Sequence, residues 1–324
     1  MSEESRRLQN TIVLVDDEPY CIWGWDLDDR NRLFLEGFDT EYFPFLIATL
    51  ASSDDAKRTS VALRATFHHS LETLFSLVGA LVQSPKCIYG WMAKCSNATL
   101  RRVVNRINAG DRGLLCPYVR KPVGWEGIAD IVFACYMPDT EKGAATKKLF
   151  ATLWGQLAHE FLNREHIEEY NSIKHGLRMR GGGFTLSVGL EHSYGVPPPD
   201  SEMKTIGHSE HGSSFFRLER IGEEGSRSFS TRRVALNWKV EKVQLLCELA
   251  AMSIANVIGA LRIINGTAPS TIQFHRPIED QDFTRAWSYS PGVTSMNMDF
   301  VIDARQIPNV TKAELLEQLR RDAQ

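Results

Sequence analysis

The feature that most constrains this chain is a change of period. From Asp139 onward, apolar residues at Leu149, Leu153, Leu157 and Phe161 recur at helical spacing, and the pattern runs on to Met179 with a kink expected near Asn163. Gly181, Gly182 and Gly183 are expected to end it. Beyond the glycines, alternation replaces the helical repeat. Phe184 to Leu190, Phe215 to Ile221 and Phe229 to Leu236 read as strands, the last two joined by a turn from Gly222 to Gly225. Helical spacing returns from Trp238 to Ile264 and closes at Asn265 and Gly266. Such a sequence specifies an α+β protein, predominantly a helical bundle with a small antiparallel sheet.

The remaining segments fit that plan. Thr11 to Val15 reads as a strand, followed by an acidic segment rich in aromatics that includes Trp23, Trp25, Phe34, Phe38, Tyr42 and Phe43. Ser52 and Asp55 mark the start of a helix carrying Val61, Phe67, Leu71, Leu74, Phe75, Val78 and Val82, which Ser84 and Pro85 end. Asn97 is expected to cap a shorter helix through Leu100, Val103, Val104 and Ile107, and another is expected from Trp125 to Met137. A last helix opens at Thr311, with Glu314 completing a capping box. The organisation predicted is an N-terminal segment over 1–51, a bundle over 52–180, a sheet over 181–237 and a long buried helix with a C-terminal segment packing on the bundle over 238–324. The loop from Glu191 to Ser214, with three consecutive prolines, is expected to be mobile.

Composition bounds the function. The chain has 324 residues, 43% of them hydrophobic and 24% charged, which excludes collagen-like and wholly disordered classes. A net charge of -3 gives no global field toward nucleic acid or an anionic membrane, so any such contact must be a local patch. Six cysteines without a C-x-x-C pair argue against a disulfide framework and structural zinc. The opening MSEESRRLQN lacks the apolar core of a secretory signal, so a cytoplasmic protein with free thiols is expected. Val243 to Ile264 is the most membrane-like stretch, but Gln244, Glu248, Asn256 and Arg262 interrupt it, and it reads as a buried helix with no membrane partner.

The candidate site lies where the long helix continues as HEFLNREHIEEYNSIKHGLR. The face that carries Phe150, Leu153, Leu157 and Phe161 is continued by Glu160, Arg164, Glu168, Asn171, His175 and Arg178, so an apolar stripe becomes a polar one. An inward polar row needs partners, as a structural network or as a site. His and Arg are the types wanted for proton transfer and for holding phosphate. A second polar margin, Arg64, His68 and Glu72, falls at the edge of the Ser52 to Val82 helix. His166 and Glu169 fall on the opposite side of the long helix and are expected to face water. Two H-x-x-E pairs, His69 with Glu72 and His166 with Glu169, and the loop histidines His192, His208 and His211 carry ligand types, but the pairs differ in helical phase and the loop is polar and glycine-rich, so no metal or cofactor is expected.

The fragment from Asn171 to Gly176, with Lys174 and His175, resembles the polar-residue-to-His end of the motif in helical domains of the HEPN type, found in ribonuclease toxins, antiviral proteins and nucleotidyltransferase-associated modules. The family's Arg would precede Asn171, where this chain has Tyr170. The resemblance therefore implies a metal-independent endoribonuclease of defence or toxin type only with Arg178 or Arg164 supplying that charge. His175 would then move protons and Asn171 would orient it, and His68 and Glu72 complete the candidate set. It equally implies a non-enzymatic relative whose bundle and hairpin serve as a partner interface or dimerise. TIVLVDDEP, with Arg120, Lys121 and Pro122 later, is also similar to receiver domains. The strand that should carry the phosphoacceptor Asp is missing, and Asp16 and Asp17 read as a turn. Basic residues gather at Arg101, Arg102, Arg106 and Arg112, and at Arg217, Arg220, Arg227, Arg232 and Arg233 in the hairpin. With Phe215, Phe216 and Phe229 for stacking, these are candidates for an RNA-binding stripe.

Overall fold

In the computed structural model the described residues are 8–111, 113–114, 123–136, 140–222, 228–298, 302 and 311–323. In chain order they form β1 (Leu8–Val15), β2 (Glu18–Trp25), α1 (Leu27–Glu36), α2 (Tyr42–Ala51), α3 (Ala56–Gln83), α4 (Ile88–Lys94), α5 (Asn97–Asn108), α6 (Trp125–Val132), α7 (Thr140–Leu162) and α8 (Arg164–Lys174). There follow β3 (Met179–Gly181), β4 (Thr185–Val188), β5 (Lys204–His208), β6 (Gly212–Arg220), β7 (Phe229–Asn237), α9 (Val240–Ile264), α10 (Asp282–Arg285), β8 (Ser295–Met298) and α11 (Lys312–Asp322). This is the α+β, mainly helical architecture that the change of period specifies. The turn from Gly222 to Gly225, Arg112, Arg227, Cys116 and the Arg120 to Pro122 segment lie wholly or partly outside the described residues.

The chain divides into two compact units, 1–167 with 240–289, and 168–239 with 290–324. In the first, α3 and α9 pack along each other. From Leu71 to Val82 most residues of α3 are buried, as is most of α9, so each helix packs on more than one face there. Among the described residues α9 is the one helix long and apolar enough to cross a membrane, and most of it is buried in this core. Phe133, Phe150, Trp154 and Phe283 close the far side of the core as a ring cluster.

β1 and β2 form an antiparallel hairpin whose turn is Asp16 and Asp17, with Asp16 in the left-handed region at φ 57°. A receiver domain needs a parallel sheet here, and the hairpin removes that possibility. Gln83 docks the turn on α3: its Oε1 accepts from the Asp16 amide at 2.9 Å and from Trp91 Nε1 at 3.1 Å, and its Nε2 donates to the Asp16 carbonyl at 2.8 Å. Arg102 and Arg106 donate to the buried Asp16 carboxylate at 2.9 and 2.6 Å, and Arg106 also reaches Asp17 and Asp111. Burial raises the Asp16 carboxyl, but the two arginine hydrogen bonds and charges outweigh it and hold it below the usual carboxylate range. The first basic cluster is therefore corrected: Arg102 and Arg106 neutralise the turn rather than forming a phosphate stripe.

Helix ends follow local chemistry more than the expected boundaries. Asp55 caps α3 by accepting from the Arg58 amide, and Ser96 rather than Asn97 caps α5. Asn163 interrupts the long helix. Its Oδ1 accepts from the amides of Glu165 and His166 and so starts α8 as a new helix. α8 ends at Lys174, ahead of the three glycines, because Gly176 and Leu177 turn left-handed at φ 95° and 50°.

The second unit is built on an antiparallel sheet in the order β3, β6, β7, β8 and a two-stranded sheet of β4 and β5. β8, from the segment expected to pack on the helices, is an edge strand of the larger sheet. Asn237 joins the strands: its Oδ1 accepts from the Phe184 amide, and its Nδ2 donates to the carbonyls of Phe184 and Val293. Gly212 is required where it pairs, since a Cβ there would meet the Leu236 carbonyl oxygen at 2.1 Å.

Arg106→Ala strips a buried carboxylate of one of two guanidinium partners, and should lower the unfolding free energy by about 2 kcal/mol. Arg32→Ala, at an exposed pair with Asp29, should leave the urea midpoint where it is. Equilibrium urea denaturation of the two variants checks both.

Candidate nucleic-acid interface

The break at Asn163 re-phases the helix, and the continuous polar row expected from the sequence separates into two arrangements. In the first unit Glu160 turns inward. Its carboxylate is 3.1 Å from His166 Nδ1 and 3.1 Å from Lys242 Nζ on α9. The His68 and His166 rings lie edge to face with centroids 6.2 Å apart. His68 and Arg64 are buried on α3, Glu72 is half-buried, and Arg164 is exposed. Burial raises the Glu160 carboxyl, but the His166 hydrogen bond and the charges of His166, Lys242 and Arg64 outweigh it and hold the group well below the usual carboxylate range. A carboxylate so firmly ionised is a poor general base, and the cluster reads as a clamp holding α3, α7 and α9 together. Burial also pushes the Cys95 thiol up to about 12 and raises that of Cys247, which removes both as thiolate nucleophiles.

In the second unit α8 supplies acids to one face of the sheet. Glu169 is fully buried, and Ser213 Oγ donates to its Oε1 at 2.6 Å. Arg217 Nη1 donates to both Glu168 oxygens at 3.1 and 2.9 Å, and Arg217 and Arg232 both reach Glu219. The expectation that His166 and Glu169 face water is therefore overturned, because the new start at Asn163 rotates α8 relative to α7. Asn171 is half-buried, while His175 and Arg178 are exposed beyond the last turns of the helix. Among the described residues the His175 ring has no hydrogen-bond partner. The six residues expected to form one site are divided between the units: His68, Glu72 and Arg164 in the first, Asn171, His175 and Arg178 in the second.

The opposite face of the larger sheet is open. Strand alternation puts Phe215, Arg217 and Glu219 on the face toward the α8 acids, and Phe216, Leu218 and Arg220 on the other. On that open side Phe216 is 73% exposed and Leu218 65%. The register sets Arg233 opposite Phe216 and Phe229 opposite Arg220, whose guanidinium carbon lies 5.9 Å from the Phe229 ring centroid. Met298 continues the face on β8 beside Arg233, and Arg180 continues it on β3 beside Ser214. Among the described residues of these four strands no Asp or Glu lies on this side. A surface of exposed rings between arginines, with no carboxylate to pair them, is suited to a polyanion with flat bases.

The structure thus sorts the basic stripe expected in the hairpin. Phe215, Arg217 and Arg232 face the α8 acids, while Phe216, Phe229, Arg220 and Arg233 face out. Sequence reasoning grouped adjacent residues, although neighbours in a strand point opposite ways. Arg180, Leu218 and Met298 were missed, and alternation alone would have found Leu218. No family model, no curated protein and no solved structure matches this chain.

Replacing Glu160 by Gln should destabilise the protein by roughly 3 kcal/mol at neutral pH. Because the folded carboxyl is depressed, this contribution is complete above the unfolded value of about 4.3 and is lost as the pH falls from there toward the folded value. The gap between wild type and Glu160→Gln in urea melts should narrow as the pH falls below that value.

Proposed function

We propose that this protein binds single-stranded RNA on the open face of the β3, β6, β7, β8 sheet, as a cytoplasmic binding protein rather than a nuclease. The observation that carries the reading is the pairing of Phe216 with Arg233 and of Arg220 with Phe229 on an exposed surface where no described strand residue is acidic. Phe216 and the Arg220–Phe229 pair lie four residues apart in register, about 13 Å along the strand, so two rings can each take an unstacked base while the arginine opposite each ring takes a phosphate. A duplex hides the faces of its bases and cannot use the rings. The cleavage expected of a HEPN-like protein has no comparable support, since His175, the group that would move protons, is exposed at the end of α8 with nothing described to orient it.

Fluorescence anisotropy with a short single-stranded RNA tests the reading. Phe216→Ala should weaken binding about tenfold or more and leave its salt dependence unchanged. Arg233→Ala should reduce the slope of log affinity against log salt by about 0.7, the loss of one phosphate contact. Equal binding of a duplex, or wild-type affinity in both variants, would refute the proposal.

A further inference from the structure

The β1–β2 hairpin of the first unit turns apolar side chains to both of its faces. Partners in an antiparallel pair share a face, so the register divides the hairpin into two sets of side chains. One set is docked on the helices: Val13 and Val15 are buried, and Ile22 fills the place that a Cβ at Gly90 of α4 would take. The other set is every second residue from Leu8 to Leu14 and from Pro19 to Trp25. It consists of apolar side chains apart from Asn10, and none of its members is charged. A sheet with one face on the core ordinarily gives polar residues to the other. Here Leu8 is 56% exposed, Ile12 73%, Trp23 62% and Trp25 43%. Allowing up to ~250 Å² for a whole Trp and less for the other types, the outward set exposes roughly 700 Å². The largest apolar patch of an ordinary monomer is about 300–600 Å².

We infer that this outward face packs on the same face of a second copy of the chain. Area, composition and form select that occupant. Two copies together bury roughly 1,400 Å², inside the ~1,200–2,000 Å² of stable interfaces. Homodimer interfaces are more apolar than those between unlike partners, and a face without charge offers an unlike partner no charge pattern to match. A flat strand face is self-complementary about a two-fold axis, and two of them stack about 10 Å apart as the layers of a small sandwich. Trp23 and Cys21 occupy the two middle rows of the face, opposite Asn10 and Ile12. Trp23 is thus the central anchor, and a two-fold axis through the middle of the face brings the two Cys21 residues within about 12 Å of each other. The inference does not rest on RNA binding, which uses the sheet of the second unit.

Sedimentation velocity of the full chain over a wide concentration range tests it, and a concentration-dependent dimer is expected. Ile12→Thr with Trp23→Thr keeps a strand-forming residue at both exposed positions and should weaken the dimer at least about tenfold. Phe45→Gln removes an apolar side chain that is 65% exposed on α2 and should leave the dimer unchanged. Circular dichroism melts confirm that each variant is folded. A short bismaleimide should join two chains through Cys21, which is exposed, and Cys21→Ser should abolish that product in peptide mass spectra. A monomer at every concentration would overturn the inference, including a monomer that instead adsorbs to phosphatidylcholine vesicles through the hairpin. So would a dimer indifferent to the hairpin variant, one weakened as much by Phe45→Gln, or one whose cross-links spare Cys21.

Discussion

A carboxylate with no exposure, Glu169, determines which way the larger sheet of the second unit faces. A carboxyl group removed from water must be hydrogen-bonded, and the Ser213 hydroxyl on β6 meets it at 2.6 Å. Because side chains alternate, fixing Ser213 beneath α8 also fixes Phe215, Arg217 and Glu219 on that side. It leaves Phe216, Leu218 and Arg220 on the other. A slip of one residue in β6 would bring phenylalanine and leucine under α8 and leave Arg217 and Glu219 in solvent, so the buried acid and its neighbour Glu168 define the register as well as the orientation.

The allocation of charge explains how a chain with a net charge of -3 can present a basic surface. Its arginines are divided by partner. Arg102 and Arg106 are held by the acids of the β1–β2 turn, and Arg217 and Arg232 by Glu168 and Glu219. Arg180, Arg220 and Arg233 remain on a face where no described strand residue is acidic. Net charge therefore says little about this protein, and the location of carboxylates says more. The ion pairs of the first unit have another consequence: Glu160, the most strongly ionised acid of the helical core, is bound to His166 and Lys242 and serves packing rather than proton transfer.

Much of the fold was legible in the sequence, because the signals that set it are local. The apolar repeat gave α3 and α9 almost to their ends, the Thr311 and Glu314 pair gave α11, and alternation gave β6 and β7. The N-terminal region was less legible. Asp16 and Asp17 read as a turn, but the strand that follows them, β2, reads in the sequence only as an acidic segment rich in aromatics, because its pairing with β1 and the docking of the turn on Gln83 and Arg106 are not local signals. The candidate site was legible in its parts and misread in its grouping. Carrying one helical phase through Asn163 put Glu160, Asn171 and His175 in a single row, whereas the Asn163 cap restarts the helix and sends Glu169 inward. The hairpin's aromatic and basic residues were found, but the split between its two faces depends on α8, which periodicity within the strands cannot supply.

On the proposed reading, a single strand of RNA lies on the open face of this sheet. Ultraviolet cross-linking of the full chain to a short single-stranded RNA, with the attachment points mapped by mass spectrometry, tests it most directly. The account predicts attachment within Gly212–Arg220 and Phe229–Asn237, at Phe216 and Phe229 above all. Attachment confined to the helices of the first unit, or to the segment around His175 with none on these strands, would contradict it.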